Sequence, residues 1–540
     1  MKKICLSFLS VFIVAFSFAQ QEFHVSPKNH KTTPGTATGN GSLQNPWDLQ
    51  TALTQSSKVV SGGDTIWLHE GVYNGRYNST LNCTTANKYI TVSAYPNHRV
   101  ILNGNVSSIK KQVIEIKGNN LIFKNFEITS LNDFSRIETD KDFSRCDGVN
   151  HTSGGNCKFI NLVIYNNPGS GFNSWKRTSN AEINECIIFN NGFFTKKRGG
   201  GVGMYVQNSS DKERQIFNNI VFNNYYKGIE VWSANKDAKE AYVKNVTLYS
   251  NVLFNNGLPA GFYRDNIIVA SDDENEVNIA KNITISNNVL YHNTNLTKEI
   301  ENTEAPSLTL GFDKKAPLEN AIIKNNIIIG RKNALRVLYV KSMQFNNNVV
   351  YSGYVRINES TLEHIIDDNW NFNNNSYYTR RTKPIRIIGS RDYLLNEWKS
   401  KYKLDENSGS YNFKDFNLAN VLDITKSQYK TNSFRVVLFN KEEQDVVVDF
   451  SEYHMEKGSS YTITDVENLN TVIKTGTLAE DAKITVPMQA ENAIETKTLN
   501  NFGVFIIAFT NAKKAITTTA NKEEEPKTES GLSRFFKWLF

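Results

Sequence analysis

The chain has 540 residues and a formal net charge of +7. That length exceeds one ordinary hydrophobic core, so several domains or a solenoid are expected. The mild positive charge leans weakly toward anionic partners and argues against nucleic acid, which calls for clustered basic stripes.

Residues 1–19 read as a signal peptide. Lys2 and Lys3 form the positive start, Leu6 to Phe18 an apolar run too short to span a bilayer, and Ser17 and Ala19 the small residues before a cut at Gln20 or Gln21. Export across an inner membrane to the periplasm, the cell surface or the exterior is therefore expected. No later segment is long and apolar enough for a span. Beyond Cys5 only Cys83, Cys146, Cys157 and Cys186 occur, too few for a disulfide scaffold and without a CxxC pair for zinc. A Cys146–Cys157 disulfide and stacked buried thiols both stay open.

The main signal is a repeat. Val163-Ile164-Tyr165-Asn166-Asn167, Ile187-Ile188-Phe189-Asn190-Asn191, Ile220-Val221-Phe222-Asn223-Asn224 and Val252-Leu253-Phe254-Asn255-Asn256 share one pattern, which Val289, Ile327 and Val349 continue. The first Asn falls at 166, 190, 223 and 255, so the steps are 24, 33 and 32 residues. A floor of roughly 22 to 24 residues with variable insertions is one coil plus loops of differing length. A strand this short cannot bury its apolar face alone, so coils must stack. Asn tolerates the left-handed backbone of a tight turn and can hydrogen-bond along a ladder of its own kind. The runs lack the 3.6-residue period of helical repeats.

Residues 20–410 are thus expected to form a parallel β-solenoid. Asp392-Tyr393-Leu394-Leu395-Asn396-Glu397-Trp398 reads as a short amphipathic helix closing its end, with Leu404 to Ser408 as the exit turn. Residues 411–510 then carry strands at Phe434–Asn440, Val446–Phe450, Tyr461–Val466, Lys483–Pro487 and Phe502–Phe509, a small antiparallel β-sandwich. Residues 511–540 read as a disordered tail with a short aromatic-basic end at Leu532–Phe540.

The start of the mature chain carries a resemblance. Phe23-His24-Val25-Ser26-Pro27, Asn45-Pro46-Trp47-Asp48-Leu49, Gly62-Gly63-Asp64-Thr65-Ile66-Trp67-Leu68 and Gly71-Val72-Tyr73 resemble the capping region of secreted right-handed parallel β-helix proteins of the pectate-lyase-like superfamily. Ile90 to Gly104 fits the first full coil. The resemblance implies a right-handed β-helix acting on carbohydrate, as a polysaccharide lyase or a related enzyme, with calcium as an occasional cofactor. Asp272, Asp273, Glu274 and Glu276 form an acidic loop that could supply oxygen ligands to such an ion, and a plain solvated loop is the alternative.

One strand per coil begins near a glycine: Gly148, Gly171, Gly203 and Gly228. With Val149, Phe172, Met204 and Ile229 inward, the outward set is Asn150, Asn173, Trp175, Tyr205, Gln207, Glu230 and Trp232. Arg264 and Asn266 are read as the next coil's share. Rings for sugar faces, amides for hydroxyls, and charges make this row a candidate binding face. Long insertions at Ser130–Asp147, Phe193–Gly201 and Asp272–Ala280 flank it. Lys176, Lys196 to Arg198, Lys227 and Arg264 add positive charge suited to carboxylate or sulfate. His151 is expected to face the core.

The expected partner is an anionic poly- or oligosaccharide, and the expected protein a monomer. β-Elimination at a uronic acid needs the carboxylate neutralised, here by Arg264, Arg198 or Lys176 with Gln207, and a base and an acid, with Tyr205 as one or the other. A sugar leaving group makes a lyase, and water a dehydratase. Glycoside hydrolysis would need two carboxylates, Glu230 with Asp147 or Asp265. Non-catalytic binding is the third reading.

Overall fold

The computed structural model describes residues 20–293, 304–366, 369–489 and 499–510. The expected signal peptide and C-terminal tail lie outside them. Backbone contacts divide the chain into two units, with the boundary between Leu418 and Ala419.

Three 12-stranded sheets build the first unit among the described residues, each coil adding one strand to the first, second and third sheet in turn. The first sheet runs from Glu22–Val25 to Trp370–Asn373, the second from Gly71–Asn74 to Gly409–Asn412 and the third from Tyr77–Ser79 to Asp392–Tyr393. Pairing is parallel except at the last strand of the third sheet. The expected inward column Val149–Phe172–Met204–Ile229 is in register and continues to Ile267, and every member is fully buried. Ordering a residue costs about 1–2 kcal/mol of backbone entropy, while a buried Phe or Ile contributes about 1.5–3 kcal/mol. A three-residue strand with two inward side chains therefore holds only as part of the stack.

The two asparagines of each repeat divide the corner between them. Asn166, Asn190, Asn223 and Asn255 adopt positive φ of 48° to 56° and turn the chain out of the second sheet. Asn167, Asn191, Asn224 and Asn256 are fully buried, and each of the first three donates its side-chain amide to the carbonyl oxygen of the next at 2.9–3.1 Å. The glycine column follows from this ladder. A Cβ on Gly203 would lie 2.7 Å from the Asn224 amide nitrogen. A second ladder, Asn219–Asn251–Asn288–Asn326–Asn348–Asn375, runs along the corner between the first and second sheets. It ends on Asp405, which also accepts from Tyr377, Trp398 and Ser408.

Both ends are covered. Near the start, helix Leu49–Leu53 is capped by the Asp48 carboxylate, which accepts from the Thr51 amide at 3.0 Å. At the far end, helix Leu395–Tyr402 buries Leu395 and Trp398. It begins three residues later than the sequence suggests, because Asp392–Tyr393 pairs with Ile385–Ile388 as a strand. The coils extend past the expected limit, since Gly409–Asn412 still pairs with Ser376–Thr379.

All four described cysteines are buried free thiols, so the disulfide is not formed. Burial pushes the Cys146, Cys157 and Cys186 thiols up to about 12, which keeps them protonated.

The second unit is antiparallel. Five strands order as Val421–Lys426, Ser433–Phe439, Phe502–Thr510, Ser460–Asp465 and Val472–Thr477, and Val446–Asp449 pairs with Lys483–Val486. Phe434, Val436, Val448, Ile463, Ile484 and Ile507 share its core.

His292 has an energetic consequence for the solenoid. It is fully buried, and its Nε2 reaches the carbonyls of Arg264 at 2.8 Å and Pro306 at 3.0 Å. Burial holds its pKa at about 4, below the usual 6.5. The unfolded chain therefore binds a proton that the folded chain refuses, and stability falls as pH drops from 6.5 to 4. This one group accounts for about 3 kcal/mol across that window. His292→Gln, which keeps a donor for the two carbonyls, is expected to flatten the acid limb of a stability-versus-pH curve by about that amount. An unchanged slope would remove His292 as the cause.

Candidate active site

The outer face of the third sheet carries the expected row. Asn150, Asn173, Tyr205 and Glu230 lie side by side on successive strands, in register, with neighbouring strands about 4.8 Å apart. Trp175, Gln207 and Trp232 follow two residues further on, the first two just past the ends of their strands. Trp175 and Tyr205 rings lie 5.3 Å apart between centroids, and Trp175 donates its indole N–H to Asn150 at 2.6 Å.

Two insertions raise walls on either side. The segment 130–147 brings in Glu138, Arg145 and Asp147, and 193–201 brings in Phe193, Thr195 and Arg198. They brace each other: the Glu138 amide donates to the Phe194 carbonyl at 2.9 Å. Phe193–Phe194 and Gly199–Gly200 form a two-stranded antiparallel ribbon. It packs so closely that a Cβ on Gly199 would meet the Tyr225 carbonyl oxygen at 1.7 Å. The result is a groove of about 600 Å³ over Tyr205, closed at one end by Trp232 and Phe312, whose rings meet edge-on at 4.9 Å.

Charge inside the groove is paired but uneven. Asp147 accepts from the Ser170 amide at 2.8 Å, Asn173 Nδ2 at 3.1 Å and Arg145 Nε at 3.2 Å. Burial outweighs these partners and leaves its pKa raised. Lys227 pairs with Glu230. Burial opposes the Lys227 charge, but Glu230 and Asp265 outweigh it and the ammonium is held firmly. The Arg198 guanidinium lies 4.1 Å from the Tyr226 ring. The Tyr205 hydroxyl accepts from Gln207 Nε2 at 2.9 Å. Burial first, and the Glu230 charge second, push the Tyr205 pKa up, so its phenol stays protonated.

Seven of the residues singled out from sequence for substrate binding and catalysis come together. Tyr205, Glu230, Asn173, Trp175, Arg198 and Trp232 line the groove, and Gln207 sits beneath, bridging Tyr205 to the Trp232 carbonyl at 3.2 Å. Gln207 is buried, with its side-chain amide spent on Tyr205 and the Trp232 carbonyl. Three residues fall elsewhere. Lys176 places its ammonium 3.4 Å from the centre of the Tyr242 ring, outside the groove lining. Arg264 lines a separate hollow with Tyr263 and Arg336. Asn266 is fully buried: it occupies the glycine column, accepts from Asn256 at 2.9 Å and continues the ladder. The outward position in that coil is Ile268, opposite Glu230. Asp265 is also committed, to Arg336 at 2.6 Å and to Thr309.

Arg145, Glu138, Tyr226 and Phe312 were not singled out. The long insertion pointed to the first two, but nothing in the sequence marks Phe312, which arrives two coils after Trp232. His151 faces the core as expected, fully buried with its pKa pushed well down.

The acidic loop does not gather its oxygens around a cation. Asp273 spends its carboxylate on the backbone amides of Asn275, Val277 and Asn278, and Glu274 pairs with Lys236. Among the described residues no group of three or more His, Cys, Asp or Glu side chains is arranged for a metal ion. None of the described helices is long and apolar enough to cross a membrane.

Residues 66–253 match a family described as the right handed beta helix region. No curated protein matches the chain in sequence. Similar solved structures include pectate lyase Pel9A, 13% identical with TM-score 0.41, covering 74% of this chain and 82% of that one. An alginate lyase from Paenibacillus sp. is 14% identical with TM-score 0.36, covering 72% of this chain and 99% of that one. The Dettilon tailspike protein is 12% identical with TM-score 0.37, covering 90% of this chain and 94% of that one. With the family match over residues 66–253 and three parallel sheets stacked coil on coil, the chain has the right-handed parallel β-helix fold.

Proposed function

We propose that the chain is an exported carbohydrate-active enzyme that cleaves an anionic, uronic-acid-containing poly- or oligosaccharide by β-elimination. The observation that carries the reading is the protonated Tyr205 hydroxyl, fixed by Gln207 between two tryptophans in a groove that also holds Arg145, Arg198 and Lys227. Sugar rings stack on Trp175 and Trp232. Arg198 and Arg145 neutralise the substrate carboxylate, which acidifies the neighbouring C–H. Asp147, its basicity raised by burial, takes that proton. The electron pair forms the C=C bond as the adjacent C–O bond breaks, and Tyr205 gives its proton to the departing oxygen. With a sugar as leaving group the enzyme is a polysaccharide lyase, and with water an oligosaccharide dehydratase.

The second reading is glycoside hydrolysis, favoured by two carboxylates, Asp147 and Glu230, lining one groove. The ion pair that ties Glu230 to Lys227 makes it the weaker one. Incubation with uronate-containing oligosaccharides distinguishes the two. Elimination raises ultraviolet absorbance through the new C=C bond. New reducing ends without that absorbance would replace elimination by hydrolysis, and binding with neither signal would leave a carbohydrate-binding protein.

A further inference from the structure

The outward row of the third sheet changes character on the two sides of Tyr205. Toward the start of the chain it stays accessible. Asn150, Glu115 and Asn78 occupy the row on successive strands, each half-buried. Glu115 is already paired with Lys117 at 3.2 Å. Toward the other end, Glu230 is followed by Ile268 and Thr309, both buried and neither lining the groove. Beside Glu230, Trp232 is followed by Ala270, which is fully buried.

Named side chains build this stop. Arg336 lies across Thr309: its Nε donates to Thr309 Oγ1 at 2.8 Å, and its Nη2 to Asp265 at 2.6 Å. After strand Leu308–Leu310, Gly311 takes a φ of 75°, where a Cβ would lie 1.9 Å from the Tyr339 carbonyl oxygen. The turned chain brings Phe312 to Trp232, edge-on at 4.9 Å. The strand between them offers only the small Ala270 beside Trp232, so the two rings can meet. Ile268 lies two strands beyond Tyr205. That leaves about 10 Å, two strand spacings, between Tyr205 and the covered part of the row. Such a length suits a monosaccharide or a disaccharide and not a continuing polymer.

We propose that the groove is blind at Trp232 and Phe312, and that the enzyme therefore takes a glycan by its end and releases a monosaccharide or disaccharide at each turnover. The inference rests on the groove being the place of cleavage, and it holds for elimination and for hydrolysis alike. The terminal sugar ring meets the apolar surface of Trp232 and Phe312. The rest of the glycan leaves past Trp175 and Asn150. Phe312 is the specificity-determining residue, because it forms the stop without touching Tyr205's partners.

Digestion of polygalacturonate and alginate, two long uronate polymers, and of oligosaccharides made from them tests it. Products are separated by size from the earliest times. A monosaccharide or disaccharide is expected as the short product from the first turnovers, with viscosity falling late. A ladder of mid-sized fragments with an early fall in viscosity overturns the proposal and leaves cleavage in the groove standing. No new chain ends on any of these substrates overturns both. Phe312 is half-exposed, so Phe312→Ala leaves the core intact. That variant is expected to release longer products, as the terminal ring slides past the missing wall. Short products from the parent protein and the same products from Phe312→Ala would remove Phe312 as the stop.

Discussion

Tyr205→Phe is expected to lower turnover of a uronate oligosaccharide by about 10²- to 10⁴-fold, the range for losing a positioned proton donor. Substrate binding should change little, because the ring that meets Trp175 remains. The pH profile separates this role from a packing role. Burial and the Glu230 charge hold the phenol protonated well past neutrality, so the alkaline limb of activity should lie high. Glu230→Gln removes the neighbouring negative charge. It should lower the phenol pKa and move the alkaline limb to lower pH. Full activity in Tyr205→Phe, measured by absorbance at the new double bond, would take Tyr205 out of the chemistry.

Asp405→Ala is expected to be the most damaging single change to the solenoid. The buried carboxylate accepts from Asn375 at 3.0 Å, Tyr377 at 3.0 Å, Trp398 at 3.0 Å and Ser408 at 2.6 Å. It ends the second asparagine ladder and ties the closing helix to the last coils. Removing it strands several donors out of reach of water, at a cost of about 3–5 kcal/mol. A large fall in the urea midpoint is expected, with hydrogen exchange rising first at Asn348 and Asn375. Asp405→Asn keeps one acceptor and should fall between. A midpoint within error of the parent protein would mean that water replaces the carboxylate.

Much of the architecture was legible because a solenoid applies one local rule coil after coil. Apolar residues alternate inward, an Asn takes the left-handed corner, and the next Asn joins the ladder. Each rule acts within a few residues and so leaves its mark at a fixed spacing. The third-sheet strands could be aligned for the same reason, and their outward row held from Asn150 to Glu230. The alignment slipped one coil later. Asn266 stands where Gly228 stands in the coil before, and an amide side chain there enters the ladder instead of facing out.

The sequence by itself determined the coil, its inward column and the Trp175–Tyr205–Trp232 face, since pleat and period dictate which side chains share a side. Only the tertiary structure decided which charges meet on that face. Arg198 joins the groove because its ribbon packs against the insertion that carries Arg145. Lys176 turns to Tyr242 and Arg264 to a neighbouring hollow, because long side chains follow the nearest aromatic surface and loop wall, not the strand register. Contacts between loops many residues apart leave no period behind, and the electrostatics of the site reside in those contacts.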